Sequence, residues 1–467
     1  MAIDPDWAWK AYHPDAKNPW NLAKVGHLYR RAGFSASSDE LDRSLADGPE
    51  KTIGNLLAGG TAQPALVQQA FERQMADIAA SLDYTNEAEL RAWWLLRILQ
   101  TPHPLQERLT LFWHDHFATS NAKVRNLRYM FDQNQLLRRN ALGSFRTMLA
   151  EISKDPAMMI WLDTSLNKKG TANENYSREL MELFCLGIGH YTEQDVREGA
   201  RAFTGWEIRD NKFAFNAAQH DDGLKQYLGQ RGNFGGEDIV RICLEQEAAA
   251  YFIAGKLFRL FVSETLVPSP ELLKPLATRF RQSDYNLREL VETMLRSNLF
   301  FSPEVYRTQI KSPVDFAVGI VRALEGHVGA IPLADALEGL GQRLFSPPSV
   351  KGWPGGDVWI NSTTLLLRHN LALNITSTQD NRFGRRTDPA ELARKRGKHS
   401  DDEIVAFFVR LFLQDDIPAD ARASLLDYLA GAHKQKYPAY WSAQDQQDHR
   451  VRAVCHLLLT QAEFQLN

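Results

Sequence analysis

The sequence predicts an all-α, mainly helical fold: a multi-helix globular array with one small β-hairpin and two long Gly/Pro-rich loops. Three observations carry this. Apolar residues recur at helical spacing along most of the 467 residues, only one segment alternates as a strand would, and 44% hydrophobic with 24% charged residues is ordinary globular composition. No internal repeat breaks the chain into units.

Taken in order, residues 1–20 read as an irregular arm, followed by a short helix in "LAKVGHLYRRAGF". Helices are expected over Asp39–Leu57, Pro64–Leu82 and Asn86–Gln100, the last holding Trp93 and Trp94. Pro102 and Pro104 interrupt the chain before the helix "LQERLTLFWHDHF". Further helices fit 126–152, 173–187, 193–204, 237–246 and 247–263. In "WEIRDNKFAFN", Trp206, Ile208, Phe213 and Phe215 alternate about Asp210-Asn211, which predicts a β-hairpin. "AQHDDGLKQYLGQRGNFGG" after it reads as a loop, and helices resume to about 340. "FSPPSVKGWPGGDVWINS" (345–362) is too rich in Pro and Gly for helix or central strand. Residues 363–467 read as helices around a basic loop, 382–399. The natural divisions are 1–104 (arm and helices), 105–263 (a central region with the hairpin and the candidate site) and 264–467 (a C-terminal region with the Trp-rich loop).

A net charge of -3 gives no general argument for nucleic acid or membrane surfaces as partners. The seven Lys and Arg of 382–399 lack interleaved aromatics, so they read as a solvated loop. Cys185, Cys243 and Cys455 have no close spacing, which argues against a disulfide framework or Cys-rich zinc site. The first residues lack a basic-then-apolar leader, and no stretch reaches membrane-span length. The chain as given therefore reads as cytoplasmic, with export alongside a partner left open.

Chemistry is concentrated in four segments. In "TANENYSRELMELF" the apolar arc covers about 200° of the helix, wider than a surface helix needs. Arg178, Glu179 and Glu182 share the narrow remaining stripe with Asn175. Thr171 and Glu174 have capping-box spacing, and Arg178 with Glu182 has the spacing of an i,i+4 ion pair. In "ERLTLFWHDHF", His116 shares a face with Leu109 and Phe112, while His114 shares Glu107's face. The two imidazoles thus point apart unless the helix ends or distorts there. "QHDDGLKQYLG" offers His220, Asp221 and Lys225, a set suited to metal ligation, acid–base work or a polar turn. His27, Arg30, Arg31, Lys351, Trp353 and Trp359 place cations near aromatics, as binding a phosphate or stacking on a sugar would need. No strict zinc, di-iron, nucleophile-elbow or P-loop motif is present.

At "GHLYRRAGF", "LFWHDHF", "NENYSRELMELFCLGIGHYTEQDVREGARAFTGW", "HDDGLKQYLG" and "VKGWPGG...WIN" the sequence resembles, over nearly its full length, the bacterial domain-of-unknown-function 1800 family. The resemblance implies no settled reaction. It implies His114, His116, Asn175, Arg178, Glu179, Glu182, His220 and Lys225 as site candidates, and a sulfatase-like protein as a partner.

These readings lead to a first expectation, an enzyme with a buried His/carboxylate site performing metal-assisted hydrolysis of an anionic or glycan-type substrate. A divalent metal ion would sit on His114, His116, His220 and Asp221. Glu179, Glu182, Arg178 and Lys225 would be catalytic, and Asn175, Lys351 and Trp353 would hold substrate. Hydrolysis is preferred to oxidation because the spacing departs from ferritin-like helices. A metal-free carbohydrate-active enzyme is the alternative within catalysis. It requires a second carboxylate distant from Glu179 and Glu182, which lie too close and parallel to serve as a pair. A non-catalytic helical scaffold or maturation partner, its stripe a buried ion-pair network, is the alternative outside it.

Overall fold

In the computed structural model, residues 3–58, 64–377, 387–431 and 436–467 are described. The fold is mainly helical, with two two-stranded antiparallel sheets among the described residues. Local sequence explains many helix starts. Asn21, Asn86, Asn126, Ser144, Asp155 and Ser269 each accept a first-turn N–H through the side chain. Such a cap stabilises a helix by about 1 kcal/mol. Pro104, Pro156, Pro270, Pro313 and Pro389 occupy first-turn positions where no N–H partner is lost.

The structure refines several expectations. The helix expected over Asp39–Leu57 spans Ser38–Ala58, but Gly48 interrupts it with φ 76°, just before Pro49. The stretch 126–152 is two helices, Leu127–Asn140 and Phe145–Ser153. Ser144 caps the second, and Phe145 N–H donates to Tyr285 O at 2.9 Å, so a tertiary bond holds the break open. The hairpin pairs Trp206–Arg209 with Lys212–Phe215. Asp210 and Asn211 both take positive φ, as its two-residue turn requires. The segment after it is not wholly loop: Lys225–Tyr227 and Gln230–Gly232 form a second ribbon. The basic loop 382–399 lies partly outside the described residues, and its later part includes the helix Pro389–Lys395.

One continuous apolar cluster runs from Ala8 to Phe464. The divisions at 104/105 and 263/264 are crossed by polar ties as well. Arg91 pairs with Glu338, Arg108 with Asp315, and Gln309 donates to Arg259 O. A buried network lies near the first division. Glu107, 0% exposed, accepts from Arg97, Arg138 and the Trp94 indole. Burial pushes its carboxyl up, but Arg138 and Arg97 outweigh that and hold it at about 2. All three cysteines are free and buried. No helix among the described residues is long and apolar enough to cross a membrane.

Candidate functional site

The helix Pro104–His116 ends in three consecutive polar residues, and the helical turn sends them to three environments. His114 packs against Trp94, edge to face at 5.2 Å between centroids, and near Phe345 and Trp353. Burial lowers it to about 3. His116 lies among Phe117, Phe145, Phe184 and Phe252, and its Nε2 meets Phe184 O at 3.1 Å. Burial, with Lys256 adding, lowers it to about 3 as well. Both rings are therefore neutral at physiological pH and packed among aromatics; His116 Nε2 bonds Phe184 O, while His114 Nε2 and His116 Nδ1 are buried without a hydrogen-bond partner.

Asp115 sits between them. Its Oδ1 accepts the Trp353 N–H at 2.7 Å. Burial raises the carboxyl to about 6 despite that bond and the nearby Lys256 and Arg259. Gly352 makes the approach possible. Its φ is +82°, and a Cβ there would stand 2.2 Å from Asp115 Oδ1 and 2.6 Å from Asp115 O.

Asp115 lines a pocket of about 130 Å³ together with Glu264, Arg108, Asp315, Trp353 and Trp359. Gln309, Ser312 and Gln342 add neutral polar groups to the wall. Burial raises the Glu264 carboxyl, with Asp357 adding, against the pull of Arg259, Arg31 and Arg108. Asp115 and Glu264 join no ion pair within 4 Å among the described residues, whereas Arg108 is bound to Asp315. The site thus combines two unpaired, burial-raised carboxyls with two indoles and several amide and hydroxyl groups.

The predicted residues are placed otherwise. His220 Nδ1 donates to Thr204 O at 2.9 Å, with its ring edge-on to Phe215. Asp221 is held by both Nε and Nη2 of Arg201, which pulls its carboxyl down to about 2. Lys225 Nζ donates to the carbonyls of Asp221 and Gly223 at 2.5 and 3.1 Å. This group closes a loop on itself. Among the described residues no three His, Cys, Asp or Glu side chains are arranged to hold a metal ion. The proposed set of His114, His116, His220 and Asp221 does not converge, because each is engaged by different surroundings.

The polar stripe is also corrected. The Thr171–Glu174 capping box does not form, since the helix begins at Asn175 and Glu174 makes no side-chain cap bond. Arg178 pairs with Glu174 and Glu193 instead of Glu182. Glu182 accepts the Tyr191 hydroxyl at 2.9 Å, and Asn175 Nδ2 donates to Asp163 at 3.0 Å. Glu179 is half-buried, raised by burial and then by Glu182, with Arg178 and Lys351 opposing. The helix widens to a π-helix at Leu180–Cys185, and the N–H groups of Leu186 and Gly187 share Met181 O. Of the substrate candidates, Trp353 reaches the pocket, whereas Lys351 is exposed.

Asp115 and Glu264 were missed by sequence reasoning. Asp115 lay inside a segment already singled out, masked by its two histidines. A carboxylate on an otherwise buried helix end was the signal that could have found it. Glu264 stands in "FVSETLV" with no spacing to mark it.

Fold and site together define a helical protein with an indole-walled carboxyl pocket. The chain belongs to a family described as a protein of unknown function (DUF1800), whose model matches residues 27–466. No curated protein and no solved structure matched the chain.

Proposed function

We propose that the chain is a metal-independent acid–base enzyme acting on a glycan-type substrate in the Asp115–Glu264 pocket. The observation that carries this is Asp115, raised to about 6 on the wall of a pocket that Glu264 also lines, with no ion pair within 4 Å among the described residues. A carboxyl of that affinity is protonated often enough near neutrality to donate to a leaving oxygen. Glu264 is the second carboxyl that glycosidic cleavage needs, as base or nucleophile. Trp353 and Trp359 give the pocket apolar walls, and Gln309, Ser312 and Gln342 line it with amide and hydroxyl groups. The metal-assisted reading draws less support, because among the described residues no three His, Cys, Asp or Glu side chains are arranged to hold a metal ion. In a scaffold, Asp115 and Glu264 would bear a burial cost with no compensating ion pair.

A panel of aryl glycosides assayed with and without a chelator tests the reading. Turnover should survive the chelator and fall about 10²- to 10⁴-fold in Asp115→Asn and in Glu264→Gln. The acid must be protonated, so kcat/KM should decline as pH rises through about 6. Folded variants that retain wild-type turnover, or a wild-type chain inert on every glycoside, would end it.

A further inference from the structure

The walls of the pocket are not held equally. Arg108, Asp115, Leu260 and Asp315 stand on the helices Pro104–His116, Glu247–Phe261 and Pro313–Ala323. The wall at 309–312 is tied on several sides. Gln309 Nε2 donates to Arg259 O, Asn467 N–H to Gln309 O, Lys311 N–H to Gln465 O and Lys311 Nζ to Phe464 O, at 2.6–2.8 Å. The segment 347–358 is different. Its ends are pinned, since Asn121 N–H donates to Phe345 O and Thr364 Oγ1 to Trp359 O. Between them, one hydrogen bond reaches the rest of the protein among the described residues: Trp353 N–H to Asp115 Oδ1 at 2.7 Å. The Lys351 and Gly352 N–H groups bond only to Ser349, within the segment. Pro348, Ser349, Lys351, Pro354, Asp357 and Val358 face solvent. Trp353, 6% exposed, is inserted against His114 at 5.7 Å between ring centroids. Gly355 and Gly356, at φ +69° and +59°, lie beside it as joints that side chains would stiffen.

At about 130 Å³ the pocket is smaller than the roughly 300 Å³ at which small-molecule sites begin. A glycan therefore needs one wall to move, and the wall held by a single bond moves at least cost. We propose that 347–358 is a lid on this pocket, with the Trp353 indole as its plug and Asp115 Oδ1 as its latch. The proposal rests on the pocket being the substrate site and adds how that site opens. Closure also assigns the two oxygens of the acid: the Trp353 amide takes Oδ1, so the transferable proton belongs on Oδ2. An ionised acceptor holds an N–H about twice as firmly as a neutral one, so a proton on Asp115 loosens the latch. Lys256 and Arg259, near Asp115 on the neighbouring helix, favour its ionised form. Glu264, Asp315 and Arg108 are the other charged groups on the pocket wall, Arg108 being bound to Asp315, and the lid's own Lys351 and Asp357 are exposed.

Hydroxyl-radical footprinting of the full chain, read by mass spectrometry at each tryptophan, tests this. Trp7, 45% exposed, and Trp94, 0% exposed, serve as internal references. Asp115→Ala removes the latch and should raise oxidation of Trp353, relative to Trp7, about three-fold or more while Trp94 stays protected. Asp115→Asn keeps an acceptor oxygen and should stay near the wild type. In the wild type, Trp353 oxidation should rise between pH 8 and pH 5, and in Asp115→Asn it should not. If Asp115→Ala unfolds, exposing Trp94 as well, the wild-type pH series decides. Trp353 as protected as Trp94 in every arm would overturn the lid. Asp115→Asn also separates the two readings, since it keeps the latch and loses the acid. A chain inert on glycosides whose Trp353 responds as described would keep the lid and sink the glycan reading. Glycoside turnover with an unresponsive Trp353 would sink the lid alone.

Discussion

At the scale of single residues, arginine partners win at Glu107 and Asp221, whereas burial wins at carboxyls such as Asp115. Asp155 shows this away from the pocket. It accepts from Gln133 Nε2 at 2.7 Å and Met158 N–H at 3.0 Å, yet burial raises it to about 7. The folded chain keeps a proton there that the unfolded chain releases near pH 4. Stability conferred by that proton is present below pH 4 and is lost as pH rises toward 7, at up to about 1.4 kcal/mol per unit. Asp155→Asn keeps an acceptor oxygen and has no proton to lose. Denaturant midpoints of the two proteins between pH 4 and 8 should converge or cross as pH rises, and parallel curves would contradict the assignment. Gly352 is the second case. Gly352→Ala places a methyl group against Asp115 and strains a backbone at φ +82°. It should lower both the melting temperature and the turnover proposed for the pocket, and an unaffected variant would show that the Trp353–Asp115 bond is dispensable.

At the scale of elements, helix identity was legible and helix detail was not. Caps, prolines and apolar periodicity act within a few residues, so Pro104–His116 and the Trp206–Phe215 hairpin could be read directly. Pairing across the chain could not. Arg178 had two acidic neighbours in reach by sequence, and the choice of Glu193 depends on where the next helix packs. The π-helix Leu180–Cys185 was equally hidden, because its extra residue per turn is accommodated by contacts from elsewhere. One of these is His116 Nε2 on Phe184 O. His116→Ala removes that donor and opens space among Phe145, Phe184 and Phe252, so it should cost about 2–4 kcal/mol. His116→Gln keeps a donor and should recover part of the loss in urea unfolding. Zinc that raised the wild-type midpoint but not that of His116→Ala would restore the metal reading. For the candidate site, the loop composition singled out Trp353, which lines the pocket. Asp115 acquires its character only from burial by distant segments, the loop of Trp353 among them, and no local pattern encodes that.

At the scale of the whole molecule, a continuous core and ties across both expected divisions predict one cooperative unit. Calorimetric and circular-dichroism melts should coincide. Fragments 1–263 and 264–467 expressed separately should lack cooperative transitions, since the cut parts Arg108 from Asp315 and Arg91 from Glu338. Two independently melting fragments would show the divisions to be true domains. The pocket draws walls from 108–115, 260–264, 309–315 and 353–359, which makes it a product of long-range closure. The bond from Trp353 to Asp115 spans 238 residues. During synthesis on a ribosome, Asp115 emerges long before its cover and titrates as any solvated aspartate. Its acid strength changes only when the loop bearing Gly352 and Trp353 arrives and docks. A nascent chain halted before that loop would carry the carboxyl without its cover, so the acid proposed for the pocket forms only in the late stages of translation.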